Sequence, residues 1–143
     1  VADLTKEDIP NKVILFGREL ELEIFDHERE WERYSFWSKW AVVSTDMTRK
    51  VDEEEYTQEE DIFKFRLVGK TSDWDTPNED FDIEIYVVLY IWDCATNQEI
   101  EIKFIGDAFA DTVDEGIERA KERIEEILKD IESKVGMFRE VMK

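Results

Sequence analysis

The chain is poor in residues that crosslink, punctuate and catalyse. It has one cysteine, one histidine, two prolines and five glycines in 143 residues. The lone Cys94 cannot form an intrachain disulfide, which fits a reducing compartment. The glycines are scattered at 17, 69, 106, 116 and 136, so there is no Gly-rich phosphate loop. No Gly-x-Ser-x-Gly, Cys-x-x-Cys or His-Glu-x-x-His motif occurs either. Apolar runs are short. The longest, Ile85 to Trp92, has 8 residues, against the ~20 that a membrane-spanning helix needs. The opening Val1-Ala2-Asp3-Leu4-Thr5-Lys6-Glu7 has neither a basic nor an apolar stretch, so no secretory leader is expected. These absences point to a cytoplasmic protein with no membrane contact.

Basic charge is scarce as well. Lys and Arg number 19 against 38 Asp and Glu, a net charge of −19. Such a chain lacks the positive footprint for direct nucleic-acid or anionic-membrane binding, and it favours basic partners. The excess is uneven: residues 1–110 carry 28 acidic and 12 basic residues, whereas residues 111–143 carry 10 and 7. Many Glu with little Gly and Pro is also the composition of a thermostable surface. Yet the chain is 42% hydrophobic and 13% aromatic, enough to build a core, so it is not a disordered acidic tail. The length fits one domain over residues 1–143.

Periodicity supplies the elements. Residues 1–11 form a polar lead-in to a β-rich part over 12–105. Within 12–25, Leu20, Leu22 and Ile24 alternate with Glu19, Glu21 and Glu23, the period of a half-buried strand, and Gly17-Arg18 marks a turn or bulge. Residues 26–33 are highly charged and suit a loop or short helix. Residues 34–45 read as one strand, with Tyr34, Phe36, Trp40 and Val42 on one face and Trp37, Ala41 and Val43 on the other. An acidic connection over 46–60 leads to a strand over 62–68, with Phe63, Phe65 and Leu67 inward. A loop over 69–80 precedes the longest expected strand, 81–92. A turn at 93–97 then returns as a hairpin arm over 99–105.

From 111 to 142 apolar residues fall at Val113, Ile117, Ala120, Ile124, Ile127, Ile131, Val135, Phe138 and Met142, the stripe of an amphipathic helix with Asp111 or Thr112 as its cap. About 45 Å of helix exceeds the width of a domain this size. Either it breaks near Gly136, or its end projects and meets a partner through Val135, Phe138 and Met142, as a homodimer would. Strands followed by one long helix give the α+β class: an antiparallel sheet of about five or six strands packed against one long C-terminal α-helix.

Chemistry-bearing residues are few. His27 sits between Asp26 and Glu28 with no second histidine to complete a metal site. Cys94 follows Asp93, which does not favour a thiolate. Asp73-x-Asp75 and Asp80-x-Asp82-x-Glu84 suggest calcium, but Pro77 and the missing glycine break the EF-hand pattern. No cofactor, metal or catalytic residue is expected. What remains is ordered acid. Glu19, Glu21 and Glu23 recur about 6.8 Å apart along a strand, as do Asp82 with Glu84 and Glu99 with Glu101. Trp74 in a polar loop is a candidate anchor. Tyr86, Val88, Tyr90 and Trp92 share the side of Asp82 and Glu84 and are either covered by a second layer or exposed for binding.

The sequence therefore points to a non-enzymatic acidic binding protein. A nucleic-acid mimic that inhibits a basic nucleic-acid-binding protein or nuclease is the sharpest form of that reading. Two rivals are an assembly subunit that oligomerises through the helix, and a small-molecule binder with a pocket among Trp37, Trp40, Phe63 and Tyr86.

Overall fold

The computed structural model describes residues 4–28, 33–71, 80–93 and 95–143. Phe16 and Gly17 both take positive φ, 50° and 73°. A two-residue turn of that hand matches the twist of paired strands, so β1 (Lys12–Leu15) folds back on β2 (Arg18–Glu21) as a separate two-stranded sheet. The chain then enters a six-stranded antiparallel sheet. It contains β3 (Glu23–Glu28), β4 (Arg33–Trp37), β5 (Ala41–Val51), β6 (Glu54–Thr71), β7 (Phe81–Asp93) and β8 (Gln98–Ala110). The order is β3-β4-β6-β7-β8, and β5 joins the same edge of β6 as β4. A helix, α1 (Val113–Met142), follows. The α+β architecture read from the sequence is what the chain adopts.

Several sequence expectations change in detail. The run over 12–25 is cut into three strands in two sheets. The charged 26–33 stretch belongs to β3 through Glu28. The acidic 46–60 connection is itself a long hairpin, turned at Asp52 and Glu53, whose φ values are 52° and 68°. That makes β6, with 18 residues, the longest strand in place of β7. Its propensity was masked by its acidity, because an exposed ladder tolerates Glu on both faces when nothing packs there.

The run over 34–45 is two strands, and the break reverses its faces. Ser38 donates its N–H to the Leu67 carbonyl (2.9 Å), and its Oγ accepts the Leu67 N–H (3.0 Å). Trp37 pairs with Val68 and Ala41 with Phe65, so residues 38–40 stand opposite only 67 and 66. One extra residue flips every later side chain. Tyr34 and Phe36 therefore share their face with Ala41 and Val43, while Trp37, Trp40 and Val42 share the other. Ser38 is buried, and its Oγ also donates to the Lys39 carbonyl. Ser38→Ala should cost about 1–3 kcal/mol by leaving the Leu67 N–H without its acceptor. Denaturant melts would show the loss, and hydrogen exchange should accelerate at Leu67 more than at Phe65.

The core lies on one face of the sheet. Phe36, Phe65, Leu67, Phe81, Ile83 and Ile85 are fully buried there, as period-2 alternation dictates. Over β7 and β8 this face is closed by α1, which buries Val113, Gly116, Ile117, Ala120 and Ile124. The β1–β2 hairpin joins the same core through Val13, Leu15 and Leu20, and the Phe16 ring stands edge-on to Phe65 at 5.0 Å. Thr112 caps the helix, its Oγ1 accepting the Glu115 N–H at 3.1 Å. The helix does not break at Gly136; it runs unbroken to Met142.

Candidate protein-binding face

The opposite face of the sheet is bare. Among the described residues no strand or helix packs over it, and Phe25, Trp37, Trp40, Val42, Ile105 and Phe109 on it are each 38–53% exposed. Among the described residues no second layer covers Tyr86 and Tyr90, which are half-buried. Instead two cations of β6 lie among the rings. The Arg66 guanidinium sits 5.3 Å from Trp37, 5.0 Å from Trp40 and 5.4 Å from Tyr86. Lys64 Nζ lies 4.7 Å from Trp40 and 5.9 Å from Tyr90. Register makes this arrangement, since Lys64 pairs with Val88 and Arg66 with Tyr86 on β7. Each cation–π contact is worth about 0.5–1 kcal/mol at an exposed site. Phe25 extends the cluster, its ring tilted by 34° against Trp37 at 4.6 Å. Arg66 Nε is shielded from solvent and has no hydrogen-bond partner among the described residues. A groove of about 510 Å³ runs beside the cluster, lined by Trp40, Lys64, Tyr86, Val88, Lys103 and Ile105 among others.

Acid rims this centre. Asp82 and Glu84 on β7 lie on the bare face, where Tyr86 Oη donates to Glu84 at 2.6 Å and Lys70 stands 3.9 Å from Asp82. The hydrogen bond to Glu84 raises the Tyr86 phenol above its ordinary pKa. Glu99 and Glu101 pair across β8 with Trp92 and Tyr90 and point the same way, and Glu101 reaches Lys103 at 3.3 Å. Glu23 pairs with Trp37, on the same face. Glu19 and Glu21 do not join them. They project from the β1–β2 hairpin on the other side of the sheet, and Glu19 is bound by Lys12 at 3.0 Å. The Glu19-Glu21-Glu23 row is thus divided after Glu21, because the chain changes sheets there. Trp74 lies outside the described residues, as does Cys94. Phe63 faces the core, opposite to Trp37, Trp40 and Tyr86, so these four do not line one pocket.

Beyond the paired part of β6 and β7 the sheet splits into two arms. The last β6–β7 pair is Phe63 with Leu89. There β6 carries an extra residue, Ile62, between the Val43–Phe63 and Ser44–Asp61 pairs. A bulge bends its strand, and the β5–β6 hairpin departs from the β7–β8 tip. Between them opens a cleft of about 280 Å³ lined by Gln58, Glu59, Asp61, Tyr90, Trp92 and Glu99, with Glu60 completing the wall. The first arm, residues 44–61, carries 8 acidic and 2 basic residues, a net of −6; the second, residues 90–101, carries 3 acidic and none basic. These 30 residues hold nearly half of the chain's net charge of −19. Glu60 is neutralised by Arg49 through two bonds of 2.8 and 2.7 Å, and that guanidinium holds its carboxyl below the usual carboxylate range. Asp61 accepts a 2.6 Å bond from Ser44 Oγ. Glu59 and Glu99 have no ion pair among the described residues.

His27 stacks on Tyr34, ring to ring at 4.3 Å. Among the described residues no group of three or more His, Cys, Asp or Glu is placed to hold a metal ion, and no helix is long and apolar enough to cross a membrane.

The sequence reading missed Lys64, Arg66, Trp37, Trp40, Glu59 and Asp61 as parts of this face. Outward Lys64 and Arg66 opposite outward Tyr86 and Tyr90 were visible as two alternating strands. The two tryptophans were not, because a one-residue bulge decides their side. The chain matches no family model, no curated protein and no solved structure.

Proposed function

We propose that the protein is a non-enzymatic binding protein that takes a basic protein partner on its open sheet face and in the acidic cleft beside it. One observation carries the reading: exposed Trp37 and Trp40, with half-buried Tyr86 and Tyr90 beside them, lie on the same sheet whose diverging arms concentrate the net negative charge. Exposed Trp with Tyr and Arg beside it is the composition of a binding centre, and like-signed walls around a cleft steer and hold the opposite charge. Tyr90 and Trp92 beside Glu59, Asp61 and Glu99 offer a Lys or Arg side chain both ring faces and carboxylates. Proteins that bind nucleic acid carry arrays of such side chains. A nucleic-acid-binding protein or nuclease is therefore the partner class, and occupying its basic array would inhibit it.

The test is capture of the partner from nuclease-treated lysate with elution along a salt gradient, comparing the native chain with Glu59→Lys/Asp61→Lys/Glu99→Lys. The reading expects a stoichiometric basic protein released only at high salt. The triple reversal should weaken it about a hundredfold, mostly in the association rate, since rim charges act on encounter. Trp37→Ala with Trp40→Ala should instead hasten dissociation. Equal retention of the same protein by the triple variant would sink the reading. For the inhibitor form, nucleic acid added to the captured complex must compete; a ternary complex speaks against it.

A further inference from the structure

The helix α1 presents two apolar stretches in succession. The first, ending at Ile124, is buried against the sheet. The second continues as Leu128, Ile131, Val135, Phe138 and Met142, and among the described residues nothing covers its end: Val135, Phe138 and Met142 are 42%, 64% and 67% exposed. The steps between these residues are 3, 4, 3 and 4, a spacing that suits a coiled-coil seam and continues the 4, 3 and 4 of the sheet-packed half.

We infer that this projecting half-helix pairs with the same segment of a second copy of the chain, in antiparallel orientation. Charge selects the occupant. Residues 125–143 carry 5 acidic and 4 basic residues, so this is a nearly neutral surface on a chain of net −19 and a place where two copies touch without like-charge contact. Charge also selects the direction. With Val135 of one copy against Phe138 of the other, and Ile131 against Met142, Glu132 flanks the seam opposite Arg139 of the other copy, twice by symmetry. Neither Glu132 nor Arg139 has an ion pair among the described residues, whereas Lys134 is held by Asp130 at 2.9 Å. A parallel pair would set Lys134 against Arg139 of the other copy and bring the two acidic bodies side by side. The antiparallel pair puts the sheet-packed halves of the two helices at opposite ends, with the two Leu128 residues roughly 25 Å apart by the helix rise. The inference rests on the helix alone and stands whether or not the sheet face binds a basic partner.

Sedimentation equilibrium of the full chain over a wide concentration range tests it. A reversible monomer–dimer equilibrium is expected. Phe138→Glu should raise its dissociation constant about a hundredfold or more, as burying an unpaired charge in a seam requires, with the circular dichroism of the sheet unchanged. Glu132→Arg alone and Arg139→Glu alone should each weaken the dimer about tenfold by turning two attractions into repulsions, and the double exchange should restore it. A parallel dimer predicts no such restoration. A strict monomer, a dimer indifferent to Phe138→Glu, or single reversals that the double exchange leaves unrescued would each overturn the proposal.

Discussion

Gly106→Val should lower the melting temperature by on the order of 10 °C, whereas Gly136→Ala, in the helix that packs on Gly106, should raise it slightly. Gly106 stands in β8 beneath α1. A Cβ there would lie 2.6 Å from the Ala120 carbonyl oxygen and 2.6 Å from Ile124 Cγ1. Real Cβ atoms do not approach so closely, and the first of these neighbours is helix backbone, which no rotamer change removes. The helix must lift, and Ile117, Ala120 and Ile124 lose the contacts that seat them. Interiors packed at crystal density do not absorb such shifts. The cost belongs at the upper end of overpacking, about 3 kcal/mol, which for a chain of this length is roughly the stated shift. Gly136 has no atom within 4 Å of its Cβ position. Alanine there clashes with nothing and removes about 0.5–1 kcal/mol of glycine's entropic cost in a helix. Thermal melts of both variants decide the matter. If Gly106→Val melts with the native chain, the close approach of α1 to β8 is wrong.

Phe36→Ala should cost about 3–5 kcal/mol, and its effect should be strongly coupled to Gly69. Phe36 is fully buried, pairs across the ladder with Gly69 and meets Phe81 edge-on at 6.0 Å. Its ring covers the glycine, so a Cβ on residue 69 would sit 2.3 Å from Phe36 Cζ and 2.5 Å from Cε2. Gly69→Ala alone should therefore lose about 1–3 kcal/mol by overpacking, because neither the ring nor Ile83 behind it has room to retreat. In Phe36→Ala/Gly69→Ala the added methyl enters the space that the ring vacates. The double variant should then lose about 1–2 kcal/mol less than the two singles combined, the size of coupling seen between residues in contact. Urea denaturation of the four proteins closes the cycle. Strict additivity would mean that the ring does not rest on Gly69.

The sequence by itself determined the class of the fold and the seats of its apolar residues. Alternation in Phe63-Lys64-Phe65-Arg66-Leu67 and in the 81–92 run fixes which side chains are buried, because a strand has only two faces. The 3-and-4 spacing of α1 fixes its stripe, whereas the unbroken run of the helix past Gly136 to Met142 is decided by the structure. The net charge is likewise a property of composition. Tertiary structure alone decided where these features meet. The inserted residue at the β4–β5 break sends Trp37 and Trp40 to the same side, and no periodicity count can carry parity across such an insertion. The extra Ile62 parts β6 from β7 and turns an acidic connection into one wall of a cleft. The passage from β2 to β3 changes sheets and separates Glu19 and Glu21 from the other carboxylates. Arg66 and Lys64 meet Tyr86 and Tyr90 through pairing with β7, across about 20 residues of chain, and meet Trp37 and Trp40 from the β4–β5 side. Local pattern is set by backbone geometry, which every residue carries with it; a surface is set by which strands become neighbours, and that depends on register over the whole chain.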